Sequence, residues 1–235
     1  MKKKIRDTAS LQTVQTTSEA PQDWVFRFWA WQALVWCLYR YFTANAGISE
    51  TTEEFFIKPI VFVVPVLLYL IFREHRSIES VGITRKNLSF SVVLGVGFGV
   101  LFAGEAIAAN ILKFGGLYID PESVGRMYGI PLIFLLSFAT AFSEELLSRG
   151  FFFNRLYETT KRLWYAAILS SLMFVAFHIP ILLTSLRFTG TTLILFFLTN
   201  VVLGIANSLI FSKTKSLIAP ILIHLFWNVT VAMFL

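Results

Sequence analysis

Ser143-Glu144-Glu145-Leu146-Leu147-Ser148-Arg149-Gly150-Phe151-Phe152-Phe153-Asn154-Arg155-Leu156-Tyr157 is the stretch on which the fold turns. Two adjacent carboxylates stand inside an apolar sequence, with an arginine four residues after the second. On a helix, Glu145 and Arg149 are i,i+4 neighbours in the favourable order. Glu144 and Glu145 point about 100° apart, so Arg149 pairs with Glu145 and leaves Glu144 facing elsewhere. Gly150 is the one weak point, and Phe151 to Tyr157 contains no breaker. The helix that begins near Ile130 is therefore predicted to run to about Thr160, which carries the carboxylates well inside an apolar span.

The rest of the chain sets what that span belongs to. Of 235 residues, 56% are hydrophobic and only 14% charged, and the mean hydropathy is +0.70. This is the composition of a polytopic membrane protein, and the length suits one bundle of helices at about 20 residues per span. The expected fold is all-α, a transmembrane helix bundle of seven to eight spans. No soluble catalytic domain fits beside it, so any chemistry belongs to the bundle. The net charge is +6, but the basic residues fall between apolar runs, so membrane orientation explains them and no nucleic-acid partner is expected. Cys37 is the one cysteine, which excludes disulfides within the chain.

Apolar runs are read at 24–43, 54–72, 90–113, from Ile130 onward, 163–178, 191–211 and 217–235. Pro59 and Pro65 are expected to kink the second. Gly95 and Gly99 in the third form a small-xxx-small pair suited to close helix packing. An eighth short or re-entrant helix has room within 116–129 or 179–190. Residues 1–23 read as a flexible cytoplasmic tail and 24–235 as a single bundle. Lys2, Lys3, Lys4, Arg6, Arg73, Arg76, Arg85, Lys86, Arg155, Lys161, Arg162, Lys213 and Lys215 fall on one side of the alternating loops. Lys113, Arg126 and Arg187 fall on the other, together with Glu50, Glu53 and Glu54 in the first loop. That bias puts the N-terminus in the cytoplasm.

Polar side chains at membrane depth face a bundle interior or a wet cavity. Besides Glu144, Glu145 and Arg149, these are His178, His224 and Asn228. Phe174 and His178 share a face of the fifth run, and His224 and Asn228 a face of the seventh. If the fourth helix reaches Thr160, Glu144 and His178 both lie roughly 24–27 Å from the turn between them. His224 lies roughly 12 Å inside the cytoplasmic face, so the three helices can converge on one site. A carboxylate and an imidazole there could take a proton from water, while a second imidazole and a carboxamide donate to a developing oxyanion. Glu144, His178 and His224 equally make a His₂Glu set for Zn²⁺, and the spacing leaves metal-bound and metal-free water both open. Glu105 is a further carboxylate within the third run. Asn200 and Asn207, on one face of the sixth, read as hydrogen-bonding residues between helices.

Glu144-Glu145-x-x-x-Arg149, Phe174-x-x-x-His178 and His224-x-x-x-Asn228 together resemble the CAAX protease and bacteriocin-processing (CPBP, or Abi) family of intramembrane proteases, which includes the type II prenyl-protein endopeptidases. The resemblance covers about 130–235. It implies that Glu144 and His178 activate the attacking water and that His224 and Asn228 form the oxyanion hole. Glu145, Arg149 and Phe174 would support them from behind. Members of the family have been described as metalloproteases and as glutamate proteases, so the likeness does not choose between Zn²⁺ and no metal. It implies an integral membrane endopeptidase of a prokaryotic cell membrane, in contact with membrane lipid and acting on a hydrophobic or membrane-associated protein or peptide. It does not imply that the substrate is prenylated. A membrane scaffold or bacteriocin-immunity factor that keeps the motif without proteolysis is the alternative. A transporter is disfavoured, because inverted repeats would spread the polar residues over both halves.

Overall fold

Lipid offers no partner to a backbone N–H or C=O, so apolar runs of this length must satisfy their own hydrogen bonds as helices. The computed structural model describes residues 22–119, 129–186 and 189–234, and helix is the only regular structure among them. The long helices are α1 (Asp23–Thr43), α2 (Glu50–Glu74), α3 (Leu88–Phe114), α4 (Ile130–Thr160), α5 (Leu163–Thr184), α6 (Gly190–Thr214) and α7 (Ile218–Phe234). The chain is an all-α polytopic bundle. Five of these helices, α2 to α6, are long and apolar enough to cross a membrane. α7 is apolar but has 17 residues, and α1 is diluted by Asp23, Arg27, Gln32 and Arg40. The expected tail, residues 1–23, lies outside the described residues but for its last two. So does 120–128, the greater part of the 116–129 stretch, one of the two with room for an additional helix. In the other, Ile179–Ile181 and Leu182–Leu186 prolong α5 past His178.

α4 is the axis of the bundle. It continues past Gly150, as the absence of a breaker predicts, but not as a uniform α-helix: Leu146–Phe153 is wound as a π-helix between α-helical Ile130–Glu145 and Asn154–Thr160. Every side chain from Ser143 to Phe153 is buried, and a helix buried all round belongs at the centre. Phe151, Phe152 and Phe153 point in three directions and are each fully buried. Phe151 meets Phe28 and Tyr69, Phe152 stacks on Phe177, and Phe153 meets Phe211 edge-on. A Cβ on Gly150 would stand 2.7 Å from the Val81 carbonyl oxygen, so the glycine lets the loop before α3 close on the axis.

α2 lies beside α4. Pro59 and Pro65 do not break it; the helix widens into π turns over Glu53–Ile57 and Pro59–Val63. Pro65 has no N–H for the carbonyl of Val61, and that oxygen accepts from buried Gln32 Nε2 of α1 at 2.7 Å. Two tryptophans of α1 do the same for the end of α5: Trp29 Nε1 donates to Met173 O at 3.1 Å and Trp36 Nε1 to Phe177 O at 3.0 Å. Carbonyls where a helix breaks have lost their own donors, and these two stand just before His178.

The other side is built by α7, which packs on α3, α4 and α6. Gly95 and Gly99 make the α3 contact possible: a Cβ at Gly95 would meet Leu222 at 2.9 Å, and one at Gly99 would meet Phe226 at 2.6 Å. Two charged residues assigned to loops by the sequence sit inside instead. Arg155 is 1% exposed and belongs to α4, where its guanidinium meets Glu74 at 2.7 Å and Ser80 Oγ at 3.1 Å. Glu54, with Glu50 and Glu53, belongs to α2, and its carboxylate is buried. Apolar-run boundaries stop at charged residues, and these charges are buried because each has a partner on another helix.

Candidate active site

Three helices deliver the motif residues to one level of the bundle. Glu144 and Glu145 lie where α4 changes from α to π winding, a feature frequent at functional sites. His178 stands at the break in α5 just before Pro180, and His224 is buried on α7. The bundle brings His224, 79 residues from Glu145 in sequence, between the two carboxylates. Its Nδ1 is 2.8 Å from Glu145 Oε1 and its Nε2 is 3.7 Å from Glu144 Oε2.

Glu145 is the hub of this arrangement. Its Oε1 accepts from Arg149 Nη1 at 3.1 Å, Asn207 Nδ2 at 3.0 Å and His224 Nδ1 at 2.8 Å. The i,i+4 pairing with Arg149 is the one the spacing requires. Arg149, itself 1% exposed, also donates to Ser148 Oγ at 2.7 Å and lies 4.8 Å over the Phe174 ring. Phe174 meets His178 at 4.9 Å and His224 at 6.2 Å between ring centroids, so one aromatic side chain wedges the guanidinium and both imidazoles. A carboxylate only accepts, so His224 carries its proton on Nδ1 and turns Nε2 to Glu144.

Glu144 has a different surrounding. Its Oε1 is 2.9 Å from Lys58 Nζ of α2. The same ammonium is 2.6 Å from Glu54 Oε1, and Glu54 Oε2 accepts from Thr140 Oγ1 of α4 at 2.6 Å. His178 lies within electrostatic range of Glu144, Lys58 and His224. Its Nδ1 is 3.3 Å from the Phe174 carbonyl oxygen, which fixes the proton on Nδ1 and leaves Nε2 with its lone pair. Asn228, one turn after His224, is half-buried with no hydrogen bond among the described residues. Three carboxylates, Glu54, Glu144 and Glu145, thus meet two permanent cations, Lys58 and Arg149, with two imidazoles beside them. The cluster is one proton short of neutrality, and an imidazole or a carboxyl can carry that proton.

The sequence reading does not anticipate Lys58, Glu54 or Asn207 here. Glu54-x-x-x-Lys58 is an i,i+4 pair at the head of an apolar run, which is a visible signal. Asn207 reads in the sequence only as a hydrogen-bonding residue between helices, which it is, through Glu145; Asn200, on the same face, turns its amide to its own helix at Phe196 O, 2.8 Å away. Glu105 is exposed on α3 and takes no part in the cluster. Of the set Glu144, His178 and His224 named for Zn²⁺, Glu144 and His224 approach within 3.7 Å. Among the described residues no three His, Cys, Asp or Glu side chains are grouped to hold a metal ion, and the Lys58 ammonium lies against Glu144 Oε1.

The buried charge cluster and the helices long enough to span a bilayer make this an integral membrane protein with its polar groups turned inward. No curated protein sequence and no solved structure matches the chain. Residues 126–230, which hold Glu144, His178, His224 and Asn228, match the family model described as Type II CAAX prenyl endopeptidase Rce1-like, so the likeness carried by the three motifs holds at the level of a family of CAAX protease-type intramembrane endopeptidases.

Proposed function

We propose that this protein is an intramembrane endopeptidase that hydrolyses a peptide bond in a hydrophobic or membrane-associated protein or peptide, with water activated by Glu144 and no metal. The observation that supports it most is the meeting of Glu144 and His224 from two helices, 3.7 Å apart in a buried setting, with His178 close by. Water loses a proton to Glu144 as its oxygen bonds to the scissile carbonyl carbon, and His178 Nε2, free to accept, orients that water. The carbonyl oxygen becomes an oxyanion. Asn228 donates to it from its carboxamide, and His224 donates from Nε2 when both ring nitrogens are protonated. The proton held by Glu144 then passes to the leaving amine as the C–N bond breaks, which returns the site to its starting charge. Glu145 orients His224 in the manner of a carboxylate–histidine pair, and Arg149 and Asn207 hold Glu145.

The cell membrane is prokaryotic in this reading, with the N-terminus and the basic loops on the cytoplasmic side. The test is cleavage of membrane-peptide libraries by the purified protein in liposomes. Glu144→Gln, His178→Ala and Asn228→Ala are each expected to lower turnover by at least about 100-fold. Turnover is expected to be unchanged after stringent chelation. Equal product from wild type and Glu144→Gln overturns the protease reading in favour of a scaffold or immunity factor, and loss on chelation with recovery on adding zinc overturns the metal-free one.

A further inference from the structure

Lys58 is a buried lysine on a helix that contributes nothing to the three motifs. It already has a partner on its own helix, Glu54, at 2.6 Å. That pair is neutral by itself and needs no further charge. Its ammonium nevertheless reaches across to α4 and rests 2.9 Å from Glu144 Oε1. Among the described residues it is the sole Lys or Arg paired with Glu144, because Arg149 is taken by Glu145. Glu54 is fixed in turn by Thr140, one helical turn before Glu144 on α4, so the chain Thr140–Glu54–Lys58–Glu144 closes a loop between two helices. A lysine has three N–H donors and no acceptor. Placed on one carboxylate oxygen it leaves the other to be used.

We propose that Lys58 is the positioning residue of Glu144, pinning Oε1 so that Oε2, the oxygen turned to His224, is the one that takes the proton of water. The assignment rests on the proteolytic reading for its chemistry, and on the α2–α4 contact for its geometry. The charged and titratable groups around Glu144 are Lys58 from α2 with Glu54 behind it, Arg149 from α4, His178 from α5 and His224 from α7. Lys58 joins Glu144 to Glu54 through Oε1, as His224 joins it to Glu145 through Oε2. Glu54 keeps the ammonium in place when Glu144 becomes neutral on accepting the proton, so the cation does not follow the proton out of the site.

The competing account is that Lys58 merely neutralises Glu54. The double variant Glu54→Gln/Lys58→Met separates the two, because it removes one charge of each sign. Lys58→Met is expected to lose on the order of 100-fold in kcat with KM unchanged. The double variant is expected to regain thermal stability in detergent but not turnover, and Lys58→Arg to recover part of it. Wild-type turnover in the double variant overturns the proposal. A second measurement needs no substrate. Infrared difference spectra of Lys58→Met at neutral pH should show a carboxylic-acid C=O band that disappears on adding Glu144→Gln. A band removed by Glu54→Gln instead, or no band, assigns Lys58 to Glu54 and overturns the idea. Absence of cleavage by wild type with the Glu144 band present sinks the protease reading and leaves the Lys58–Glu144 pairing standing.

Discussion

At the residue scale, the two adjacent glutamates are not equivalent. Glu145 Oε1 gathers three donors, whereas its Oε2 is buried with no hydrogen-bond partner among the described residues. Such lopsided satisfaction makes Oε1 the sensitive atom, because a buried donor that loses its acceptor bears the full desolvation penalty. Glu145→Gln keeps the shape but strips Arg149 of its counter-ion, and it is expected to lower stability by about 3–5 kcal/mol. Asn207→Ala removes one neutral donor and is expected to lower it by about 1–3 kcal/mol. Reversible unfolding in detergent gives both numbers. Equal effects would mean that Arg149 does not depend on Glu145 for its charge partner.

At the element scale, close approach does what side-chain chemistry cannot. Gly204 on α6 faces α5 where a Cβ would lie 2.7 Å from Ser171 Oγ and 2.9 Å from Arg149 Nη2. The arginine that holds Glu145 is therefore seated in the space a missing methyl leaves. Gly204→Ala is expected to destabilise by about 1–3 kcal/mol through overpacking and to reduce cleavage with it. Gly97 and Gly104 on α3 have nothing within 4 Å of a built Cβ. Alanine there is expected to be neutral or stabilising by up to about 1 kcal/mol, the ordinary helix-propensity gain. Thermal unfolding of the three variants side by side checks the contrast, and a matching loss at Gly97 would remove the packing argument.

At the scale of the whole molecule, α2 and α4 run in parallel, tied at Glu54–Thr140, Lys58–Glu144 and Glu74–Arg155. Parallel neighbours two steps apart in sequence are what alternating spans require. The Glu74–Arg155 end carries the basic loops and is proposed to face the cytoplasm. In a Cys37→Ser background, Lys215→Cys is then expected to resist an impermeant maleimide in intact cells, while Gly47→Cys is labelled. The reverse pattern would invert the bundle and with it the side from which a substrate arrives.

The sequence alone determined the class of fold, the helix that carries the Glu pair through Gly150, and the i,i+4 pairing of Glu145 with Arg149. All three depend on local period and on the demand that a backbone in lipid satisfy itself. It also placed Glu144, His178 and the pair His224 and Asn228 on three separate helices, through the spacing of three motifs. What tertiary structure decided is how charges are shared across helices. His224 meets both carboxylates, Asn207 completes Glu145, and Lys58 leaves its own helix to reach Glu144. None of these follows from periodicity, because the partner of a buried charge is chosen by which helix faces it. The π winding of α4 at Leu146–Phe153 is of the same kind: no proline or glycine pair marks it, and it is set by packing that buries the helix on every side.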